Sequence, residues 1–281
     1  ELDETGKIVA IVLREALDAH RLIEDFMIAA NVAAALALEA KKTVCMYRVH
    51  ETPGREKLVA LKDYLETFGL SFALGQVMQP RTFNGILTAV KGTESAQQIS
   101  EKVLRTQTQA YYSPENKGHF GLALGSYGHF TSPIRRYADL VVHRALVRAY
   151  KLGDGGLSDE AVKVIGRTAE HISMTERRAM EAERDTIDRY VAAYLSTRLG
   201  ETVAARITGV QRFGFFATVV GIGGDGLVPV STLGDERFVF DEGTHTLEGI
   251  ESGTRFVPGQ RLDLKLVEAN AITGSLRFEL P

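Results

Sequence analysis

Two adjacent arginines, Arg135 and Arg136, close the hexapeptide TSPIRR of residues 131–136. Ser132 or Thr131 is a good helix N-cap, and the proline that follows suits a first helical position, so a helix is predicted to begin there. Cations are disfavoured in a first turn because the helix dipole places positive charge at that end. The arrangement makes chemical sense if a phosphate docks against free backbone N–H groups and a guanidinium.

A second interpretation of the same residues is structural. Arg135, Asp139 and His143 follow one another at intervals of four and would share one face of the predicted helix. Either arginine could therefore form a solvated ion pair with Asp139. The spacing alone does not decide between this ion pair and phosphate binding.

A carboxylate near the N-terminus is another candidate site residue. Glu24 lies on a helix predicted from Asp18 to about Lys41, and Asn31 follows seven residues later on the same side. The pattern leaves two interpretations of Glu24 open: a surface residue of the first turns, or a group that binds a ligand.

A long helix is predicted from Ser158 to about Arg198, and two glutamates fall on its apolar stripe. Glu176 and Glu183 share that stripe with Ala161, Ile165, Ile172, Ala179, Ile187, Tyr190 and Tyr194. A carboxylate on an apolar face is costly unless it is paired. Glu183 is therefore predicted to have a partner, either in a structural salt bridge or in a functional site.

Two further helices, near residues 55–68 and 80–90, are predicted to be packing elements, and the helix near 95–105 is polar. Strands are predicted over residues 7–13 and 44–49, and helices near 55–68, 80–90 and 95–105. Several aromatic side chains in residues 111–120 could stack on bases. Aromatic residues that flank a strand more often belong to a core, so none is assigned to the site.

The composition is that of a globular protein. A length of 281 residues favours two domains, and a hydrophobic content of 44% is ample for their cores. Cys45 is the only cysteine, which excludes a disulfide framework. No apolar run reaches transmembrane length and no signal sequence opens the chain, so a cytoplasmic protein without a membrane partner is expected. The net charge of −3 argues mildly against a nucleic-acid binder, although a local channel can still be positive.

The segment after Gly200 loses helical periodicity and predicts a small five-stranded β-barrel with glycine turns. Its strands are predicted at 203–210, 214–219, 226–229, 261–267 and 275–280. The pattern ITGVQRFGFFATV, followed by GLVPVSTL, resembles the RNA-binding OB module named after the largest small-subunit ribosomal protein.

That resemblance implies that Phe213 and Phe216 stack on bases, with Arg212 beside them. Residues 201–281 contain 7 basic and 11 acidic side chains. Stacking rather than strong phosphate attraction would then have to carry RNA binding.

The segment before the barrel resembles the RNase II/RNase R exoribonuclease superfamily, and its details are more similar to the RNase R branch. The matching segments are GHFGLAL (118–124), HFTSPIRRY (129–137), Asp139 with His143–Arg144, AHRLIEDFMIAAN (19–31) and EAERD (181–185). The resemblance implies an α+β chain. Residues 1–198 would form the helix-rich C-terminal half of an RNB-type catalytic domain, and residues 199–281 an OB-fold RNA-binding domain.

The implied activity is processive 3′→5′ hydrolysis of single-stranded RNA to nucleoside monophosphates. The resemblance assigns Arg135 to the scissile phosphate, Glu24 to the terminal ribose and Glu183 to support of the active site. Arg136 would contribute to RNA binding.

The family's magnesium-binding aspartate cluster, which precedes the matched region, is not found in this sequence, and residues 1–7 resemble a hairpin turn whose first strand has been cut off. Mg²⁺ is therefore expected to be held by residues upstream of this chain. The chain alone is expected to be inactive, with the missing N-terminal half as a further partner. The alternative is a non-catalytic single-stranded RNA-binding protein derived from a truncated nuclease.

Overall fold

The computed structural model describes residues 1–6, 8–12, 15–75, 77–93 and 95–281. The chain packs into two compact units. The helical unit comprises Ala16–Gly92 and Ile99–Ala179, and the barrel unit comprises Glu1–Glu15, Thr93–Gln98 and Met180–Pro281. The domain boundary at residue 198 stays a prediction.

The α-helices of the described chain are α1 (Asp18–Ala40), α2 (Arg55–Glu66), α3 (Pro80–Val90), α4 (Ala96–Thr106), α5 (Tyr137–Tyr150), α6 (Asp159–Lys163) and α7 (Ile165–Leu195). Two short strands, β1 (Tyr47–Val49) and β2 (Tyr111–Ser113), pair antiparallel. The predicted single helix from Ser158 is broken at Val164. Ser158 nevertheless caps α6 as expected, because its hydroxyl accepts a hydrogen bond from Ala161 N at 3.2 Å.

The core of the helical unit forms where α1 packs against α5 and the β1–β2 pair. Its buried members include Ala34, Ala35, Leu38, Met46, Val49, Ala138, Val141, Val142 and Ala145. Small alanine side chains on both helices allow their backbones to approach closely. The first turns of α1 are different, since their apolar side chains Leu22, Ile23 and Phe26 are exposed.

The predicted start of α5 is wrong. Residues 133–135 form a turn, and the helix begins only at Tyr137, with Arg136 as its N-cap. The backbone N–H groups of Arg135 and Arg136 both donate to Ser132 O, which closes the turn. Arg135 therefore does not share a helix face with Asp139 and His143.

The predicted strand over residues 7–13 is also wrong in its described part. Only an isolated antiparallel bridge joins Leu2 to Ile8. The turn between them agrees with the predicted hairpin, because Gly6 N donates to Asp3 O at 3.0 Å. Lys7 and Leu13 lie outside the described residues.

The predicted five-stranded barrel is confirmed. Its strands are β3 (Thr202–Gln211), β4 (Gly214–Val219), β5 (Asp225–Pro229), β9 (Arg261–Asn270) and β10 (Ser275–Glu279). They close in the order β10-β5-β4-β3-β9, around a core that contains Ile207, Phe215, Val228, Leu264, Leu266 and Phe278.

A second, three-stranded sheet was not predicted from the sequence. It consists of β6 (Phe238–Asp241), β7 (Thr246–Gly249) and β8 (Arg255–Phe256). Phe238 and Phe240 pack half-buried against the barrel core. Within the described part of the chain, no helix has the length and apolarity that crossing a membrane requires.

Candidate functional site

The turn that carries the two arginines is held by a buried carboxylate. Asp139 is fully buried, and its Oδ1 accepts a hydrogen bond from Ser132 N at 2.7 Å. Arg136 binds the same carboxylate through two nitrogens, with Nε–Oδ2 at 2.8 Å and Nη2–Oδ1 at 3.0 Å. A charged pair with this geometry fixes both partners strongly. Asp139 is therefore committed to shaping the turn.

Asn31 of α1 holds the chain just before that turn. Its Oδ1 accepts hydrogen bonds from Phe130 N at 2.8 Å and Thr131 N at 3.2 Å. Its Nδ2 donates to the Tyr127 hydroxyl at 3.0 Å, and the whole side chain is buried. One amide therefore fixes two consecutive backbone groups and one aromatic ring.

His143 of α5 contacts Phe130 in the same segment. Its ring stacks on Phe130 with 4.2 Å between centroids and 10° between planes. Its Nε2 lies 2.8 Å from Phe130 O, and because a carbonyl only accepts, this nitrogen carries a proton.

Arg135 and Arg136 have opposite environments as a result. Arg136 is mostly buried and paired with Asp139. Arg135 is exposed, and its guanidinium has no ion-pair partner among the described residues. The ion pair that the sequence left open is thus formed by Arg136, and it is buried rather than solvated. Arg135 is left as a cation free to bind an external anion.

A cleft of about 540 Å³ opens beside this turn. Its described lining residues are His20, Ile23, Glu24, Met27, Ile28, Asn31, Arg48, Ala110, His119, Leu122, Tyr127, His129 and Arg136. The structure therefore brings Glu24 and Arg136 into one cavity. Arg135 is not among the described lining residues, although it directly precedes Arg136.

Two histidines with lowered pKa values line the cleft. Burial and the nearby cations Arg136 and Arg48 lower the pKa of His129 to about 3. Burial and the neighbouring His50 and Arg48 lower the pKa of His119 to about 4. Both imidazoles are consequently neutral at physiological pH.

Arg48 of β1 is held by two groups outside the cleft lining. Its Nη1 lies 2.6 Å from Glu176 Oε2 of α7, and its guanidinium lies 4.7 Å from the centre of the Tyr112 ring. Both side chains of the ion pair are largely buried. Glu176, on the predicted apolar stripe, thus has the charged partner that a carboxylate in that position requires.

The described residues by themselves do not fit the magnesium site that the resemblance implies. Magnesium prefers carboxylate oxygens in octahedral arrangement. Within the described ranges no group of three or more His, Cys, Asp or Glu side chains could hold a metal ion. Among the described residues that line the cleft, Glu24 is the only carboxylate.

Glu183 lies on the part of α7 that belongs to the barrel unit. Its side chain is exposed, and it forms no ion pair with any described residue. The structural salt bridge considered from the sequence is therefore absent there. The predicted apolar stripe is also interrupted, because Ala179 and Ile187 on either side are exposed as well.

The barrel carries the predicted aromatic pair on its surface. Phe213 is 53% exposed and Phe216 is 38% exposed, with their rings 6.1 Å apart and edge to face. Phe213 lies in the tight β3–β4 turn, where a Cβ on Gly214 would come within 2.1 Å of Val228 O. Arg212 is ion-paired with Glu242, which partly neutralises it.

Arg48, Tyr112 and His129 are among the side chains of this site that were not assigned to it from the sequence. Arg48 carried a usable signal, since a charged residue within the apolar segment VCMYRV requires a partner. His129 opens the matched segment HFTSPIRRY, but its hydrogen bond with Tyr112 of β2 joins residues 17 positions apart, so no local pattern indicated this pair.

Two family models match the chain. The RNB domain matches residues 1–151, and the S1 RNA binding domain matches residues 197–280. Ribonuclease R of Aquifex aeolicus is 39% identical over 279 residues, which is 99% of this chain and 39% of that protein. Ribonuclease R of Escherichia coli is 36% identical over 271 residues, 94% of this chain and 33% of that protein. The chain thus spans between a third and two fifths of these curated relatives.

Solved structures give the same result. The apo form of Mycoplasma genitalium RNase R matches with a TM-score of 0.89 at 28% identity, covering 100% of this chain and 44% of that chain. The same enzyme in complex with ribose-methylated single-stranded RNA matches with a TM-score of 0.88, again at 28% identity and the same coverage. The chain therefore belongs to the RNB family of exoribonucleases, within which it resembles ribonuclease R, and it continues into an S1 RNA-binding domain.

Proposed function

We propose that this chain is part of a processive 3′→5′ hydrolytic exoribonuclease that degrades single-stranded RNA to nucleoside monophosphates. The observation that carries the proposal is the environment of Arg135. A guanidinium that is exposed, unpaired within the described residues and mounted on a turn fixed by Asn31 and Asp139 suits a phosphate whose charge increases during reaction. The next residue, Arg136, lines the cleft, so Arg135 directly precedes a cleft residue in the chain.

Glu24 has the role of contacting the terminal ribose. It lines the cleft from α1, and a carboxylate accepts hydrogen bonds from ribose hydroxyl groups. Contact with the 2′-hydroxyl is how such a site distinguishes RNA from DNA. Glu183 has the role of supporting the active site, which agrees with an exposed carboxylate that has no partner among the described residues.

The magnesium ions that the family resemblance implies are assigned to aspartates outside the described residues. Such ions supply activation of the attacking water and stabilisation of the leaving oxygen. The chain alone is accordingly expected to be inactive, and residues missing from it are the expected intramolecular partner. The cytoplasmic location stays a prediction.

The barrel is assigned the capture of single-stranded RNA. Phe213 and Phe216 are exposed aromatic faces on which bases can stack. Arg212 contributes less, because Glu242 competes with phosphate for its guanidinium. Solved RNase R complexes with single-stranded and with double-stranded RNA are among the similar structures, which supports RNA as the ligand.

The test of the catalytic assignment is Arg135→Ala in the complete enzyme. Turnover of single-stranded RNA labelled at its 5′ end should fall by about 100-fold, the order expected for loss of one charge-stabilising donor. The dissociation constant for RNA should change by less than about threefold, because phosphate binding is spread over many contacts. Arg177→Ala, an exposed arginine of α7, serves as the matched control. Equal losses of turnover and binding would contradict the assignment.

The second candidate function is single-stranded RNA binding without catalysis, which the exposed Phe213–Phe216 pair favours. The same labelled RNA, incubated with magnesium, separates the two. A shrinking ladder with the complete protein supports the nuclease. A retarded but intact RNA band supports the binding protein.

A further inference from the structure

A groove of about 700 Å³ lies in the helical unit, where the first residue of α5 faces the first turns of α7. It is a different cavity from the cleft that contains Glu24, since no described residue lines both. A volume of this size is in the range of sites that bind small molecules. The proposed function leaves the groove without a role.

The groove is suited to an anion. Arg167 and His171 line it from α7, and both are exposed and lie one helical turn apart. Neither side chain forms an ion pair or a hydrogen bond with a described residue. The described lining contains no carboxylate, because Glu170, the nearest acidic residue of α7, lines a different groove. An anionic ligand would therefore meet a guanidinium for which no carboxylate competes.

The remaining lining groups fit a base and a sugar. Tyr137 presents an exposed ring, and an aromatic side chain of this kind can stack on a nucleobase. The hydroxyls of Thr168 and Thr175 donate to Val164 O and Ile172 O, each at 3.2 Å. Each hydroxyl oxygen therefore keeps a lone pair that can accept a hydrogen bond from a ribose hydroxyl.

We propose that this groove binds a free nucleoside 5′-monophosphate, with its phosphate on Arg167 and His171 and its base on Tyr137. A terminal phosphate carries nearly two negative charges at neutral pH, whereas a phosphodiester inside RNA carries one. The free nucleotide consequently gains more from an unpaired guanidinium than an RNA strand does. The inference rests on the proposed function in that the proposed hydrolysis supplies this ligand.

The test is a titration of this chain with uridine 5′-monophosphate, followed by ¹H–¹⁵N correlation NMR of its backbone amides. The amide signals of Thr168, His171 and Thr175 should shift together. Uridine, which lacks the phosphate, should bind the groove about 10- to 100-fold more weakly, the effect of losing hydrogen bonds to a charged group. Unmoved groove signals at about 10 mM nucleotide, above the usual range of KM values, would overturn the proposal. Equal binding of uridine and its monophosphate would also overturn it.

Arg167→Gln tests the phosphate contact, because glutamine keeps an N–H donor but removes the charge. The affinity of the groove for the monophosphate should fall by about 10-fold or more. Arg177→Gln is the matched control, an exposed arginine of the same helix that lines the other groove, and should change the affinity by less than about twofold. Equal losses in the two variants would contradict a specific contact. The amides of Ile23 and Met27 report any binding in the cleft and should respond as in the unchanged chain.

A pair of variants at Tyr137 tests stacking of the base. Tyr137→Ala should weaken monophosphate binding in the groove by about 5- to 100-fold, the range measured for stacking of one base on an aromatic ring. Tyr137→Phe keeps the ring and should retain the affinity within about twofold. An unchanged affinity in Tyr137→Ala, or an equal loss in both variants, would overturn the stacking role.

An oligouridylate without a terminal phosphate distinguishes a free nucleotide from RNA. It should shift amide signals of the barrel and leave those of Thr168, His171 and Thr175 in place. If it shifts the groove signals at a lower concentration than the monophosphate does, the ligand is RNA and the assignment to a free nucleotide fails. If the monophosphate leaves the groove signals unmoved while the oligouridylate shifts those of the barrel, this inference fails and RNA binding stands. If the oligouridylate shifts no signal in either unit, the proposed function fails.

Discussion

The cleft of the helical unit and the aromatic patch of the barrel differ in what holds their side chains in place. In the cleft, the pairs Arg136–Asp139 and Tyr112–His129 hold Arg136 and His129 in place. On the barrel, Phe213 in the tight β3–β4 turn and Phe216 in β4 are both exposed. The first surface depends on geometry, so its variants should cost folding energy. The second depends on contact area, so its variants should cost RNA affinity alone.

The largest expected effect is on the buried ion pair. Asp139→Ala leaves Arg136 without its partner and Ser132 N without an acceptor, so the free energy of unfolding should fall by about 3–5 kcal/mol. Urea unfolding followed by far-UV circular dichroism measures it. Asp159→Ala removes the exposed ion pair with Arg148 and should cost at most about 1 kcal/mol. Similar losses in both variants would mean that burial does not distinguish the two pairs.

Asn31→Ala should have the next largest effect. It removes the acceptor for Phe130 N and Thr131 N, and leaving buried donors unsatisfied costs about 2–4 kcal/mol in total. The same urea titration measures the loss. Asn116→Ala, at an exposed amide, is the control and should change stability by less than about 1 kcal/mol. A loss below that value for Asn31→Ala would show that the turn is held by other contacts.

Because His119 and His129 are neutral in the folded chain, the free energy of unfolding should depend on pH. The pKa values of His129 and His119 in the folded chain are about 3 and about 4, below the ordinary 6.5. The unfolded chain therefore binds more protons once the pH falls below 6.5, and stability is lost as the pH falls. Between pH 7 and pH 5 the free energy of unfolding should drop by about 2 kcal/mol after allowance for partial exposure.

The pH comparison requires a variant without these two groups. A chain with both His119→Gln and His129→Gln should show a markedly flatter stability profile between pH 7 and pH 5, where most carboxylates stay ionised. A profile as steep as that of the unchanged chain would assign the pH dependence to other residues.

Substitutions on the barrel surface should lower the affinity for RNA and leave the free energy of unfolding unchanged. Phe213→Ala or Phe216→Ala should weaken binding of single-stranded RNA by about 1–2 kcal/mol, measured by fluorescence anisotropy, with an unchanged unfolding transition. Arg212→Ala should weaken it by less than about threefold, because the guanidinium is already paired with Glu242. A larger loss for Arg212→Ala than for Phe213→Ala would mean that charge dominates this surface.

Periodicity and turn residues determined much of the architecture. Helix α3 was predicted with its observed bounds, and the barrel strands were predicted to within a few residues, because alternating burial and glycine turns are local signals. The sheet of β6–β8 was missed, since its strands span only two to four residues and alternate weakly. The family was identified from the sequence because the matched segment HFTSPIRRY is long and continuous.

The tertiary structure alone decided which arginine is free. The sequence offered Arg135 and Arg136 as equivalent partners for Asp139, and capping preferences placed a helix start at Pro133. Instead, the buried carboxylate of Asp139 accepts hydrogen bonds from both Ser132 N and Arg136. These bonds stabilise a turn, and the helix begins only at Tyr137. Burial of a charge is a long-range property, because it depends on which distant segments cover it.

The same contrast between local and long-range information distinguishes the family assignment from the geometry of the cleft. Local spacing in the sequence predicted the barrel and most of the helices, and the family resemblance implied the roles of Glu24, Arg135 and Phe213. Side chains that line the cleft pair with residues far away in the chain: Asn31 with Tyr127, and Arg48 with Glu176 outside the lining. The sequence could not indicate these pairings, because a hydrogen bond across 96 or 128 residues leaves no periodic signal.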